Sequence, residues 1–241
     1  MNNTPTFDTH HYTIVHTNQE SKRHHRIHIH YKGCMIHMLH DIPLCNEDRT
    51  YNMICEVPKH TIAKMEIDWK CPLPAIRQDT YADGTIREYK CSPIPFNYGA
   101  FPQTWENPHI VSSHSLYGGD DDPLDVIDIG GKVAYTGMVY KVKVLGVLGM
   151  IDQDETDWKV IAINTCDPLA SRIHNIHDIQ THIPTWLDTT RDWLRTYKIP
   201  EGKAPNRFLF HGEYQDVSFA KHIIFENHQE WKKLLSTPSK Y

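Results

Sequence analysis

Nothing in this chain constrains its fold more than the run Gly118-Gly119-Asp120-Asp121-Asp122-Pro123-Leu124-Asp125-Val126-Ile127-Asp128-Ile129-Gly130. Aspartates at 120, 122 and 125 lead straight into an apolar strand. Like charges repel and lose hydration on burial, so such a cluster enters a core only with compensating cations. Hard divalent ions bound through carboxylate oxygens remove the conflict. A hydrated acidic turn ahead of a strand is the other reading, and the run alone fits both about equally. An EF-hand calcium loop does not fit. Counted from Asp120, Asp125 stands where that loop needs glycine and Gly131 where it needs glutamate.

A second acidic group, Asp152-Gln153-Asp154-Glu155-Thr156-Asp157-Trp158-Lys159, joins the strand-like stretch through Val144 to another at Val160. At strand spacing Asp157 and Lys159 point to one face. An exposed hairpin loop would explain this segment by itself. Two acidic clusters at neighbouring strand ends instead favour a shared multi-metal site. Lys64, Arg87, Lys159 and Lys198, with the hydroxyls of Tyr98 and Tyr197, are the candidate partners for an anion. Singly, each is ordinary surface by residue type.

The remainder of the chain sets the frame. Alternation in Arg26 to Tyr31, Ile62 to Asp68 and Val139 to Val144, and the apolar run Val160 to Ile163, predict strands. Asp83-Gly84, Gly118-Gly119, Gly130-Gly131 and Asp167-Pro168 separate them as turns. The last quarter changes period. Trp186, Leu187, Trp193, Leu194 and Tyr197 lie at helical spacing, with Pro184 near the first turn and Pro200 beyond the end. Phe219, Ile223, Trp231, Leu234 and Leu235 predict a second amphipathic helix, with Asp216 as N-cap. The expected fold class is mainly β with flanking helices (α+β), a β-barrel or compact sheet with two C-terminal helices packed outside. Residues 1–9 read as a loose tail and 10–241 as a single catalytic domain.

Composition excludes several classes. Hydrophobic residues at 39% and charged residues at 23% describe a globular chain rather than a disordered one. A net charge of −5 argues against nucleic acid, which calls for a basic surface. The apolar stretch Val144 to Ile151 is too short to span a bilayer. The beginning of the sequence has no apolar signal core and carries Asp8 and Glu20. The six cysteines form no C-x-x-C pair. The expectation is a cytoplasmic protein with free thiols.

The acidic run belongs to a longer pattern. Asp120-Asp121-Asp122-Pro123-Leu124-Asp125 has the form Asp-x-Asp-Pro-x-Asp. Around it stand His40-Asp41-Ile42-Pro43-Leu44, Glu56-Val57-Pro58, Ala63-Lys64-Met65-Glu66-Ile67, Gln78-Asp79, Asn97-Tyr98-Gly99-Ala100, Pro102-Gln103-Thr104-Trp105-Glu106, Glu155 to Ala162 and Tyr197 to Lys203. In these motifs, and in their order from about residue 10 to 235, the sequence resembles the soluble inorganic pyrophosphatases of the first family, in their animal and fungal form. The resemblance implies a five-stranded OB-like barrel. It also implies Mg2+-dependent hydrolysis of pyrophosphate by direct attack of a metal-activated water, with several Mg2+ per site, Mn2+ or Zn2+ as substitutes and Ca2+ as inhibitor. By the same resemblance, Asp120, Asp125 and Asp157 hold the tightest cations. Asp152 with Asp157 holds another, and Glu66 reaches one through water. Asp122 is the general base. Lys64, Arg87, Tyr98, Tyr197 and Lys198 grip the phosphates, while Lys159 and Glu56 line the cavity. A homodimer is implied, without membrane or nucleic-acid partners.

The pattern is broken in places. Lys59-His60 replaces the Arg-Trp that relatives carry near their dimer contact. Ile94 replaces a tyrosine, and Asp121 an asparagine. Many of the 18 histidines, including His24, His25, His28 and His30, lie outside the motifs; a polar surface or adventitious zinc or nickel binding would account for them. Two other functions compete. A hydrolase of larger phosphoanhydrides lacks a P-loop or dinucleotide fingerprint here. A non-catalytic OB-like binding module has no use for two acidic clusters.

Overall fold

A computed structural model describes residues 7–236. The strands in chain order are β1 (Tyr12–Thr17), β2 (Arg26–Tyr31), β3 (Cys34–Met35), β4 (Tyr51–Val57), β5 (Met65–Asp68), β6 (Ala75–Gln78), β7 (Asn97–Ala100), β8 (Asp125–Asp128), β9 (Val139–Asp152), β10 (Glu155–Asn164) and β11 (Arg207–Phe208). The helices are α1 (Ile176–His182), α2 (Trp186–Thr196) and α3 (Val217–Ser236).

The longest strands explain the architecture. β4, β9 and β10 are buried along almost their whole length, as strands covered on both faces are. β9 and β10 form one hairpin. Its turn residues Gln153 and Asp154 sit at φ 50° and 68°, the left-handed backbone that matches the twist of the flanking strands. A register shift between Ile161 and Ala162 bends this hairpin so that it can close on its neighbours. β10 pairs with β8, β8 with β7, β7 with β4, β4 with β9, and β9 returns to β10. Five strands thus form a ring, as the barrel expectation required, although shifts in β4 and β10 make it irregular. At Gly99 a Cβ would overlap the backbone of Ile54, so β4 and β7 approach this closely only because the position is glycine.

A second sheet, β1-β2-β6-β5 with β3 on β2, covers one side of the ring. It packs through Ile27, Ile29, Ile67 and Ile76 against Ile54, Ala100 and Val139. The strand expected from Ile62 begins at Met65; Ala63 makes an isolated bridge to Glu88 instead. Both expected helices are present as α2 and α3. Asp216 caps α3, accepting from the Phe219 N–H at 2.8 Å. The short α1 was not expected. Its few residues carry too little periodicity to announce a helix, and its cap is Asn175, which accepts from the Asp178 N–H at 3.0 Å. α1 and α2 bury Ile179, Leu187 and Leu194 on the ring, and α3 buries Ala220, Ile223 and Ile224 on another of its faces.

Of the tail expected at residues 1–9, residues 1–6 lie outside the described residues. Phe7 is not loose: it is 6% exposed and stacks on Tyr31 with ring centroids 4.8 Å apart. No helix among the described residues is long and apolar enough to cross a membrane.

Candidate active site

β8 and β10 are parallel neighbours in a register that sets Asp125 beside Lys159. Strand periodicity brings Asp157 to the same face. Lys159, only 3% exposed, donates to Asp157 Oδ1 at 2.5 Å, to the Tyr98 hydroxyl at 2.9 Å and to Asp125 Oδ2. The Tyr98 hydroxyl, carried by β7, also donates to Asp125 Oδ2. Asp152 closes β9 and pairs with Lys198, which follows α2. On the opposite wall Lys64 donates to Glu66 at 3.0 Å and Asp79 at 2.8 Å. Arg87 reaches Asp79 at 2.7 Å and Glu201 at 3.3 Å.

These side chains face one cavity of about 410 Å³, along with Glu56, Asp120, Asp122 and Tyr197. Every residue assigned to the site from sequence is on its wall. A larger cavity of about 1830 Å³, between β1, β2 and the segment around Gly130 to Lys141, contains none of them. Charge, not size, marks the site.

Sequence reasoning missed two members. Asp79 bridges Lys64 and Arg87. Glu106 joins Asp120 and Asp157 in a group whose oxygens lie within 4.8 Å of one another. Glu106 Oε1 accepts from the Trp158 N–H at 3.1 Å, whereas its Oε2 is buried without a hydrogen-bond partner, as is Asp152 Oδ1. Both missed residues stood inside quoted motifs.

The electrostatics follow from this crowding. Burial, then Asp157, Asp122 and Asp125, push the Asp120 carboxyl well above the usual carboxylate range. Burial and neighbouring acids do the same to Glu56 and Glu106. Burial raises Asp157 to about 7 against the pull of Lys159. Burial raises Asp122 to about 6, opposed by a hydrogen bond from Trp69. Burial lowers the Lys64 ammonium less than Glu66 and Asp79 raise it, so it stays charged. The acids are therefore short of positive charge. Buried oxygens without donors, in an all-oxygen set, fit hard divalent cations of the Mg2+ class.

The departures from the family pattern have local accounts. Ile94 is fully buried in the cluster of Val57, Phe96 and Leu194, with no hydroxyl to offer the cavity. Lys59 turns inward and donates to the carbonyls of Gly130 and Gly131. Asp121 accepts from Lys70 Nζ at 2.5 Å and from Trp105 Nε1 at 2.9 Å, so its extra charge is neutralised locally. His25 pairs with His16 at 2.9 Å, and His28 contacts the Pro74 carbonyl.

The profile of the family described as inorganic pyrophosphatase matches residues 53–232. The inorganic pyrophosphatase of Emericella nidulans is 44% identical over 234 residues, covering 95% of this chain and 81% of the relative. That of Drosophila melanogaster is 47% identical over 208 residues, covering 84% of this chain and 62% of the relative. Among solved structures, the inorganic pyrophosphatase of Schistosoma japonicum superposes with a TM-score of 0.91 at 41% identity, covering 95% of this chain and 83% of that one. A truncated vacuolar soluble pyrophosphatase of Trypanosoma cruzi, in complex with PPi, gives 0.90 at 37%, covering 97% and 96%. With the profile spanning most of its length and relatives at this identity, the chain belongs to the inorganic pyrophosphatase family.

Proposed function

We infer that this chain hydrolyses inorganic pyrophosphate to two phosphates, in a reaction that depends on divalent cations, Mg2+ first among them. The observation that carries the reading is the cavity itself: six basic side chains and three tyrosines line it beside ten acids, which have too little positive charge of their own. Pyrophosphate and Mg2+ together complete that balance.

Asp120, Asp125 and Asp157 would hold the tightest cations and Asp152 with Asp157 a further one, with Glu66 supporting the set from the cavity wall. Bound cations supply charge neutralisation and a lowered pKa for the attacking water. Asp122, open to the cavity, accepts the proton of that water as it attacks phosphorus in line. Lys64, Arg87 and Lys198 absorb the charge that develops on the departing phosphate. Tyr98 and Tyr197 donate hydrogen bonds without adding charge. Positioning and electrostatics carry most of the barrier in phosphoryl transfer, so no covalent intermediate is required. Mn2+ or Zn2+ substitutes in part, and Ca2+, larger and less demanding in geometry, inhibits. The protein acts in the cytoplasm as a homodimer, with the Lys59-His60 region near the contact. Its six cysteines are free thiols, which agrees with a reducing compartment.

Phosphate release from pyrophosphate, with ATP as comparator, should be fast with Mg2+, abolished by EDTA and suppressed by added Ca2+. No release from folded, Mg2+-loaded protein would overturn the reading. Asp122→Ala should lower kcat by about 10²- to 10⁴-fold while calorimetry still records Mg2+ binding. Light scattering of the purified protein tests the dimer, and a monomeric mass would refute it.

A further inference from the structure

We propose that Trp69 is a positioning residue for the reaction, its indole N–H fixing the orientation of the Asp122 carboxylate at the mouth of the cavity. The proposal rests on the reading of Asp122 as general base.

Asp122 stands in an awkward place for a base. It sits at the cavity mouth, crowded by protein yet still reached by solvent, where a carboxylate has several rotamers open to it. Trp69 removes that freedom. Its Nε1 donates to Asp122 Oδ1 at 3.2 Å, which leaves the other oxygen to face the cavity. The indole is itself immobile. It is 6% exposed and packs with Ile67, Ile76 and Trp105, while His37 Nε2 lies 3.3 Å from the Trp69 carbonyl. The next residue repeats the arrangement one position earlier in the turn. Lys70 Nζ meets Asp121 Oδ2 at 2.5 Å, and Trp105 Nε1 holds the other Asp121 oxygen at 2.9 Å. Asp121 sits at φ 67°, a strained backbone for a non-glycine residue. Two consecutive residues after β5 thus grip two consecutive aspartates across the cavity mouth. An oriented donor on the oxygen that does not react is how a base is held in a near-attack geometry, where a small misplacement costs a large factor in rate. Nothing in the proton transfer requires Trp69 to touch substrate.

Trp69→Phe keeps an aromatic ring in the cluster and removes only the N–H. At saturating Mg2+, kcat should fall about tenfold, the scale of one hydrogen bond to a charged group. KM for pyrophosphate and the melting temperature should stay near the parent's. The same change in an Asp122→Ala background should cost nothing further in kcat, because the group being oriented is gone. An unchanged kcat in Trp69→Phe overturns the proposal, as does an equal tenfold loss with Asp122 absent, the signature of a merely structural role. If Trp69→Phe fails to fold, 3-benzothienylalanine at position 69, which replaces the N–H with sulfur at nearly the same shape, supports the same two comparisons. Asp122→Ala alone separates the premises: full activity there sinks the general base, whereas a large loss there with none in Trp69→Phe sinks only the role of Trp69.

Discussion

The carboxylates that line the cavity, with Glu106 behind Asp120 and Asp157, divide into two groups that differ in what neutralises them. On one side, Asp79 shares Lys64 and Arg87, Asp152 has Lys198, and Asp125 and Asp157 share Lys159. On the other, Glu56, Glu106, Asp120 and Asp122 make no ion pair among the described residues, and all four carry carboxyls raised by burial and neighbouring acids. The paired acids are scaffold as well as site: they hold the strand ends and the bases together without help from outside. The unpaired acids are a charge deficit built into the fold, and that deficit is the affinity for divalent cations. Asp157 belongs to both, in contact with Lys159 and within reach of Glu106 and Asp120, so it couples the two.

The most severe way to break this division is to remove a cation from the paired group. In Lys159→Met, Asp125 and Asp157 lose a partner that is itself nearly inaccessible. Leaving a buried pair half made destabilises by about 3–5 kcal/mol. Denaturant unfolding in EDTA should record that loss, and saturating Mg2+ should recover much of it by taking the place of the ammonium. An equal loss with and without Mg2+ would mean that Mg2+ affinity is indifferent to Lys159, so that cation and ammonium do not compete for Asp125 and Asp157.

Proton competition separates the groups next. Asp157 is held at about 7 and Asp122 at about 6, with Asp120, Glu56 and Glu106 also raised. For a carboxyl whose folded pKa is raised, the folded state keeps protons that the unfolded chain releases. Its contribution to stability is therefore largest at low pH and is lost as pH rises through the folded value. Asp79 has the opposite sign: Lys64 and Arg87 outweigh its burial and lower its carboxyl, so its contribution is lost as pH falls. In EDTA, stability should begin to decline above about pH 4, where the unfolded carboxyls ionise, and keep declining through about pH 7, the value of Asp157, and Mg2+ should flatten that slope. Mg2+ binding near neutral pH should also release protons, measurable by calorimetry in two buffers of different ionisation enthalpy. A flat profile in EDTA would mean that the unpaired acids are already satisfied.

The legibility of these features in the sequence tracks how locally each is encoded. Asp157 and Lys159 share a face because a strand alternates, and that needs no tertiary knowledge. The helices around Leu187 and Ile223 announce themselves by period, and α3 also by its Asp216 cap. The ring closure came from the motif pattern, since alternation alone cannot say that β9 returns to β10. Of the second sheet, β2 and β5 showed in the alternation of Arg26 to Tyr31 and Ile62 to Asp68, whereas β3 and β6, only two and four residues long, fall below what periodicity resolves. Glu106 and Asp79 were on view but carried no local mark. Their meaning lies in partners far away in the chain, Asp120 and Asp157 for one and the Lys64–Arg87 pair for the other. Trp69 was invisible for the same reason: its partner is 53 positions away.

The mildest test asks whether the unpaired group is truly short of positive charge. At a pH above the raised titration of its carboxyl, Glu106→Gln keeps the acceptor that receives the Trp158 N–H and deletes one negative charge beside Asp120 and Asp157. If repulsion dominates there, the metal-free protein should gain stability, by about 1 kcal/mol, the reverse of what Lys159→Met does to the same neighbourhood. Mg2+ should bind about tenfold more weakly, because the field that draws the cation is reduced while other ligands remain. Activity should then fall at limiting Mg2+ and return at high Mg2+. A loss of stability in EDTA would point the other way. It would mean that Glu106 holds a proton in the folded state and donates it to a neighbouring carboxylate, so that this corner of the site is settled by a shared proton instead of by an incoming cation, and the boundary between the two groups would have to be redrawn with Glu106 on the satisfied side.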